Sequence, residues 1–224
     1  MAPDDVRLLL DSGIAAAGVA MPPGGLDRLE RHFSLLVKWN RAVRLVGSTE
    51  ARTVIERHVM ESLALLPWVH QRAGSLLDIG AGNGYPAIPI KCALPELRLG
   101  MMEPTLRKSI FLETVARELQ LTDTTVIRAR VDRPHDLSRY GRWDCISMRA
   151  VAAARTVMAG AAAALRPGGR LLFLVGSSGR QEILGAIAEP LRLVADQLLP
   201  FRRSSFAVVL ELAAPQSVPR GTID

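Results

Sequence analysis

From Gly74 onward the chain alternates between short apolar runs and helical patterns, and this alternation restricts its fold more than any other feature. The first run, Leu76–Ile79, lies between turn residues, as expected of a strand buried on both faces of a parallel sheet. Six further runs are predicted to be strands: 97–102, 125–131, 143–148, 170–175, 192–199 and 206–212. They are separated by helical patterns at 86–94, 106–119, 152–165 and 181–188. We therefore predict an α/β fold with a doubly wound, mainly parallel, seven-stranded sheet.

The residues before this alternation show only helical patterns. Three helices are predicted, at 4–19, 26–45 and 50–70, and apolar residues recur every three or four positions in the second and third. We therefore predict that the chain has three parts. They are an N-terminal helical appendage (1–72), the sheet domain (73–213) and a C-terminal tail (214–224).

Composition excludes several classes of protein. Of the 224 residues, 49% are hydrophobic, which is too many for a disordered chain. The longest stretch of low charge, 156–165, is half the roughly 20 residues that a membrane-spanning helix needs, and the charged N-terminal residues are unlike a secretory signal. Two cysteines, Cys92 and Cys145, are too few for a disulfide framework or a four-cysteine zinc site. We expect a cytoplasmic protein that binds neither a membrane nor a metal.

The chain is basic, with a formal net charge of +6, and its basic residues are mostly arginine. Between Arg128 and Arg155 there are seven arginines and three acidic residues. Such an excess favours a polyanionic partner such as nucleic acid. The alternative is that an arginine- and alanine-rich chain reflects the base composition of its genome.

A glycine-rich turn, Asp78-Ile79-Gly80-Ala81-Gly82-Asn83-Gly84-Tyr85-Pro86, follows the first predicted strand. It is not a phosphate-binding P-loop, which requires Gly-Lys-Ser/Thr, and Tyr85 occupies the place of the third glycine in the dinucleotide motif. Pro86 and Pro89 remove two N–H groups from the first turn of the next helix, where a pyrophosphate would bind. The loop therefore suits a ligand without phosphates, such as S-adenosylmethionine.

Two acidic residues follow the next two predicted strands. Glu103 ends the second strand, 23 residues after Gly80, where a carboxylate can accept both hydroxyls of a ribose. Asp132 follows the third strand and is placed to accept the amino group of adenine. For both residues the alternative is a solvated surface acid.

With these motifs the chain resembles class I S-adenosylmethionine-dependent methyltransferases. More closely, it is similar to the bacterial small-subunit rRNA guanine-N7 methyltransferases, the glucose-inhibited division protein B family. The resemblance covers residues 5–212, and its most specific part is the glycine loop followed by two spaced prolines. Further matching motifs are Lys38-Trp39-Asn40, Arg57-His58, Glu61-Ser62-Leu63, Arg107-Lys108, Phe111-Leu112, Glu118-Leu119, Arg130-Val131, Trp143-Asp144 and Arg149-Ala150.

The resemblance implies a Rossmann-like methyltransferase sheet with S-adenosyl-L-methionine as its cofactor. It places six residues on cofactor-contacting positions of the family: Gly80, Tyr85, Glu103, Val131, Asp132 and Arg149. The predicted cofactor site is completed by three residues of the loop: Asp78, Gly82 and Gly84. Met148 and Val175 depart from the family, which usually has Ser and Lys there, so a small-molecule methyl acceptor stays an alternative.

Two common devices for methyl transfer are missing from the sequence. Ser147-Met148-Arg149-Ala150 stands where amine methyltransferases carry Asn/Asp-Pro-Pro-aromatic, and Cys145 lies inside a predicted strand, where burial rather than nucleophilic attack is expected. Guanine N7 needs neither device, because its lone pair is already nucleophilic and has only to be aligned. Arg149 is the predicted catalytic residue, orienting the base or a phosphate, with a structural ion pair as the alternative.

The predicted activity is methyl transfer to N7 of a guanine in 16S rRNA by a monomer. The substrate is expected to be either naked small-subunit rRNA or the assembled small subunit. A small-molecule methyltransferase and a non-catalytic cofactor- or RNA-binding module are the alternatives. His58 is expected to have a packing role.

Overall fold

The computed structural model describes residues 3–70, 74–131, 134–149, 154–201 and 204–214. The strands are β1 (Ser75–Ile79), β2 (Arg98–Met102), β3 (Thr124–Ile127), β4 (Trp143–Arg149), β5 (Leu165–Gly176), β6 (Leu191–Leu198) and β7 (Ser205–Leu212). They form one sheet in the order β3-β2-β1-β4-β5-β7-β6. The first five strands are parallel, and β7 pairs antiparallel with both β5 and β6. The predicted seven-stranded, mainly parallel sheet is confirmed.

Helices cover both faces of this sheet. They are α1 (Pro3–Ala16), α2 (Gly25–Asn40), α3 (Ala51–Val54), α4 (Glu61–Leu63), α5 (Leu66–His70), α6 (Ala87–Ala93), α7 (Leu106–Glu118), α8 (Ala154–Ala164) and α9 (Ser177–Ala186). A π-helix (Ile55–Met60) joins α3 to α4, and a 3₁₀-helix (Pro134–Tyr140) precedes β4. One apolar cluster joins Leu10 and Leu36 of the N-terminal helices to Leu76 and Phe111 of the sheet domain. The N-terminal helices therefore share their core with the sheet.

The third predicted helix, 50–70, is wrong as a single element. Its first turn is capped by Glu50, whose side chain accepts hydrogen bonds from the N–H groups of Arg52 and Thr53. The backbone then widens into the π-helix, and α4 ends at Leu63 before α5 begins. A continuous helix is disfavoured here, because Pro67 lacks the N–H that would bond to the carbonyl of Leu63.

Other boundaries also differ from the sequence prediction. The second helix ends at Asn40 rather than 45, because the Asn40 Oδ1 accepts hydrogen bonds from the N–H groups of Leu45 (2.7 Å) and Val46 (2.9 Å) and folds the chain back. β3 ends at Ile127 rather than 131. β5 begins at Leu165 rather than 170, because Leu165 pairs with Trp143 across a register shift in β4.

No helix in the described part of the chain is long and apolar enough to cross a membrane. Within the same residues, no group of three or more His, Cys, Asp or Glu side chains is arranged to hold a metal ion. Both cysteines are buried, as expected for Cys145. The division into 1–72, 73–213 and 214–224 stays a prediction, and residues 215–224 lie outside the described part of the chain.

Candidate active site at the carboxyl edge of the sheet

The glycine loop leaves the carboxyl end of β1, at the point where the strand order changes direction between β1 and β4. Gly80, Gly82 and Gly84 have φ angles of 77°, 50° and 88°, a region that favours glycine. A Cβ on Gly84 would lie 2.2 Å from the Ile88 Cδ1 atom, whereas no atom lies within 4 Å of the Cβ position of Gly80. Gly84 therefore permits close packing inside the protein, and Gly80 leaves room for a ligand.

Glu103 follows β2 and connects the loop to the start of α7. Its side chain is buried, and its Oε2 accepts a hydrogen bond from the Gly82 N–H (3.0 Å) while its Oε1 accepts one from the Thr105 N–H (2.8 Å). Each carboxylate oxygen can accept a further hydrogen bond. The fold thus fixes the orientation of Glu103 and leaves it the capacity to bind hydroxyl groups.

Asp78 lies in β1 beside the fourth strand. Its Oδ1 accepts a hydrogen bond from the Ser147 hydroxyl (2.7 Å), and its Oδ2 is buried without a hydrogen-bond partner. Burial raises the pKa of Asp78 to about 7, against the opposing effects of the Ser147 hydrogen bond and the Arg149 charge. The site therefore holds a carboxyl group that is close to its titration point at neutral pH.

Arg149 ends β4 and is held by the N-terminal helices. Its Nη2 donates to the Glu61 Oε2 (2.6 Å) and to the Arg57 carbonyl (2.5 Å). Its Nη1 is buried and has no hydrogen-bond partner, and the same is true of the Glu61 Oε1. Burial lowers the pKa of Arg149, while the charge of Glu61 opposes that shift. The ion pair considered from the sequence is present, but it uses only one of the two terminal nitrogens.

Tyr85 lies between two histidines of the N-terminal helices. Its ring centroid is 5.1 Å from that of His58 in a stacked arrangement, and 4.8 Å from that of His32. The Tyr85 Oη is buried without a hydrogen-bond partner, and burial raises the pKa of this phenol above its ordinary value. His58 therefore has the packing role expected from the sequence, and the residue it packs against is the predicted site residue Tyr85.

His32 and Asn83 complete the contact between the appendage and the loop. The Nε2 of His32 lies 3.0 Å from the Asn83 carbonyl oxygen, and the Asn83 Nδ2 donates to the Leu45 carbonyl (3.3 Å). Burial lowers the pKa of His32 to about 4, so the ring is neutral at pH 7 and donates through this nitrogen. The N-terminal helices thus fix the conformation of the glycine loop.

The structure brings Asp78, the three loop glycines, Tyr85, Glu103 and Arg149 to one edge of the sheet. Val131 follows β3 and is partly buried against the apolar cluster on the α8 face, and Asp132 lies outside the described residues. Two residues beside the site were not predicted as part of it, His32 and Glu61. The only sequence signal for Glu61 was its place in a family motif, and His32 had none.

The residues present fit the amino-acid end of S-adenosylmethionine. A buried polar atom without a partner costs about 1–3 kcal/mol, so several such atoms at one place indicate a polar ligand. Asp78, Tyr85 and Arg149 all lie at the carboxyl edge of the sheet, and the Arg149 charge opposes the rise that burial causes in the pKa of both Asp78 and Tyr85. Their unpartnered atoms are a carboxylate oxygen, a guanidinium nitrogen and a phenol oxygen, which complement an ammonium and a carboxylate.

Comparisons with solved structures agree with the fold. The O-methyltransferase from Bacillus cereus, solved in complex with SAH, superposes with a TM-score of 0.60 at 14% identity and covers 82% of this chain and 90% of its own. TrmN from Thermus thermophilus gives a TM-score of 0.57 at 21% identity and covers 69% of this chain and 48% of its own. At these identities the similarity establishes the fold alone.

Sequence relatives are more specific. A protein named Ribosomal RNA small subunit methyltransferase G from Desulfotalea psychrophila is 34% identical over 209 residues, 90% of this chain and 95% of the relative. A protein of the same name from Anaeromyxobacter sp. is 33% identical over 203 residues, 89% of this chain and 94% of the relative. The family described as rRNA small subunit methyltransferase G (GidB) matches residues 26–198. This chain therefore belongs to the rRNA small subunit methyltransferase G family.

Proposed function

We propose that this protein transfers a methyl group from S-adenosylmethionine to N7 of a guanine in 16S rRNA. The observation that supports this most directly is the group of buried, unpartnered polar atoms of Asp78, Tyr85 and Arg149 beside a glycine loop. In a member of this family, such a group suits the amino-acid end of the cofactor. S-adenosylmethionine supplies, when bound, an electrophilic methyl group on a sulfonium.

The cofactor contacts follow from the chemistry of each side chain. In this proposal Glu103 accepts the ribose hydroxyls, and the Asp78 Oδ2 accepts from the ammonium. The Arg149 Nη1 and the Tyr85 Oη donate to the carboxylate. Gly80, Gly82 and Gly84 let the backbone approach the ligand closely. Val131 lies against the adenine, and Asp132 accepts its amino group.

Methyl transfer to guanine N7 requires little catalytic chemistry from the protein. The N7 lone pair of guanine needs no general base, so the residues of the site must align it and exclude water. Neither cysteine is placed as a nucleophile, because both are buried in the apolar core, and burial raises the pKa of Cys92 to about 12. Arg149 is the proposed catalytic residue, because it holds the cofactor next to the acceptor base.

The two departures from the family pattern are both buried. Met148 and Val175 belong to the apolar cluster on the α8 face, so neither presents a polar group to a substrate. These two residues therefore provide no specific polar contact for a small-molecule methyl acceptor. We also propose that the protein acts as a monomer in the cytoplasm, and light scattering of the purified protein at assay concentration checks its oligomeric state.

Methyl transfer to RNA tests the activity directly. Labelled cofactor is incubated with small subunits, and separately with naked rRNA, from a strain that lacks the gene. We expect label in N7-methylguanine at one position, identified by mass spectrometry of nuclease fragments. Label in the small-molecule fraction of an extract, with none in either RNA, would reject the RNA substrate.

Glu103→Ala tests the cofactor site. We expect the affinity for S-adenosylmethionine to fall by about 1–3 kcal/mol, because the ribose hydroxyls lose a charged acceptor. Glu113→Ala is the matched control, since Glu113 is an exposed acid on α7. Calorimetry that gives both variants the affinity of the unchanged protein removes Glu103 from the site.

A further inference from the structure

We propose that six cations at the carboxyl edge of the sheet form the surface that binds the RNA backbone on both sides of the acceptor guanine. This surface, the basic rim, consists of Arg44, Arg57, Arg107, Lys108, Arg128 and Arg130. The proposal rests on the proposed function and adds to it the surface that docks the substrate.

Four of the rim cations follow strand ends next to the candidate site. Arg107 and Lys108 begin α7, just after Thr105, whose N–H donates to Glu103. Arg128 and Arg130 follow β3, and the carbonyl of its last residue accepts the Glu103 N–H at 3.0 Å. Because the carboxyl ends of parallel strands lie on one edge of a sheet, these cations are on the ligand-binding edge.

The other two rim cations come from the N-terminal appendage, where Arg44 lies between α2 and α3 and Arg57 lies in the π-helix. The backbone carbonyl of Arg57 accepts a hydrogen bond from the Arg149 Nη2. Arg44 precedes Leu45, whose carbonyl accepts a hydrogen bond from the side chain of Asn83 in the glycine loop. The rim therefore borders the site from the appendage and from the sheet.

Three cations at the opposite edge of the sheet are used within the fold. Arg98 lies over the Trp143 ring at 4.2 Å and donates to the Arg142 carbonyl. Arg142 in turn donates to the Leu165 carbonyl, and Arg166 pairs with Asp144 at 2.9 Å. These contacts identify the three arginines as structural residues.

The rim side chains have no comparable role. Within the described part of the chain, none of the six makes an ion pair or a side-chain hydrogen bond, and all are exposed except Lys108, which is half-buried. Six unneutralised cations around one site repel one another, and this cost is offset when a polyanion binds. Arginine and lysine are the residues that bind phosphate groups.

RNA fits this arrangement through its geometry. A single acceptor nucleotide carries phosphates on both sides of its base, and the rim lies on both sides of the site. Guanines in loops and single strands are the ones whose bases can be presented to an enzyme. For single strands, each phosphate contact changes the slope of log affinity against log salt by about 0.7. Six contacts then predict a slope of about −4 for the rim as a whole.

Helix α7 offers a matched pair of variants for testing the rim. Arg107 is at its first turn on the rim, and Arg117 is at its last turn, near the other edge of the sheet. Both are exposed. The probe is labelled naked 16S rRNA, and its binding is measured by filter retention at several salt concentrations. Circular dichroism checks that each variant is folded.

We expect Arg107→Ala combined with Arg130→Ala to weaken RNA binding about 10-fold near physiological salt and to lower the salt slope by about 1.4. Arg44→Ala, on the appendage side, should weaken binding about 3-fold. Arg117→Ala should change affinity less than 2-fold. The affinity for S-adenosylmethionine should be unchanged in every variant.

The outcomes separate this proposal from the proposed function. RNA binding that depends on the rim, without label in N7-methylguanine, supports the rim and rejects the activity. Methylated RNA with rim variants indistinguishable from Arg117→Ala rejects the rim and keeps the activity. No salt-dependent RNA binding by the unchanged protein overturns the rim whatever the activity.

Discussion

Two arginine–glutamate pairs with buried glutamates connect distant parts of this chain, and their hydrogen bonding is completed to different degrees. Between β5 and β7, the Arg170 Nε donates to the Glu211 Oε2 (3.1 Å) and the Arg170 Nη1 donates to the Trp68 carbonyl (3.2 Å). The Glu211 Oε1 accepts from the Arg192 Nη2. At the carboxyl edge, Arg149 and Glu61 pair at 2.6 Å and each keep one buried atom without a hydrogen-bond partner.

We propose that this difference separates a structural pair from a functional one. Burying charges is costly, and a buried pair offsets that cost only when its remaining polar atoms also find partners. The Arg170 pair meets this condition inside the protein. The Arg149 pair does not, and the charge of Arg149 opposes the rise that burial causes in the pKa of Asp78. We infer that its hydrogen bonding is completed by the ligand.

Replacing each pair by apolar residues of similar size tests most directly whether the two pairs differ in role. Arg149→Met with Glu61→Leu should lower kcat/KM for methyl transfer by about 100- to 1000-fold, because a preorganised charge at the reacting site is lost. Arg170→Met with Glu211→Leu should stay within a few-fold of the unchanged protein, since apolar replacements of a buried pair are often neutral for stability. Kinetics and thermal unfolding of both double variants measure this. Equal losses of activity from two folded proteins would show that the pairs do not differ in role.

Removing one partner of the structural pair should have the largest effect on stability. Glu211→Ala leaves the buried Arg170 without its carboxylate, so the free energy of unfolding should fall by about 3–5 kcal/mol. Glu118→Ala, which breaks an exposed pair with Arg31, should cost less than about 1 kcal/mol. Urea unfolding compares the two variants. Similar losses would mean that burial does not determine how much these pairs contribute to the free energy of unfolding.

The titration of Asp78 provides a further test at the carboxyl edge of the sheet. The folded-state pKa is raised from 3.8 to about 7, so the folded, ligand-free protein binds this proton more tightly than the unfolded chain does. Its stability should therefore fall as the pH rises from about 4 to about 7, and Asp78→Asn should remove that loss.

Cofactor binding should act on the same proton in the opposite sense. The ammonium of the cofactor favours ionised Asp78, so binding at pH 6 should release up to about one proton and weaken as the pH falls. Calorimetry in buffers of different ionisation enthalpy measures this release. Asp144→Asn, at the other end of β4, is the control and should leave it unchanged. Proton release that persists in Asp78→Asn would assign the titration to another group.

The cysteines should have the smallest effect on activity. Cys145 lies opposite Arg170, a member of the structural pair, where β4 pairs with β5. Cys92 is buried in α6. Cys92→Ala with Cys145→Ser should lower stability while methyl transfer stays within a few-fold, and a chelator should have no effect. Activity lost from a variant that circular dichroism shows to be folded would contradict direct attack by the acceptor base.

Local patterns in the sequence were enough to predict the sheet and the glycine loop at its carboxyl edge. Each strand is a short apolar run between turn residues, so its periodicity is visible without knowledge of its neighbours. Glu103 was predicted for the same reason, since it follows a strand end at a fixed distance from the glycine loop. The glycines were equally visible, because a positive φ at Gly80, Gly82 and Gly84 is a local property of the backbone.

The tertiary structure alone decided how the site is completed. In the sequence Glu61 is an acid in a helical pattern, for which a solvated face is the usual outcome, yet it is buried against Arg149, 88 residues away. His32 lies 51 residues from Asn83, and only packing of α2 on the loop brings them into contact. The π-helix and the early end of α2 also depend on such contacts. Burial and pairing are set by neighbours distant along the chain, and a local pattern carries no information about which neighbours those are.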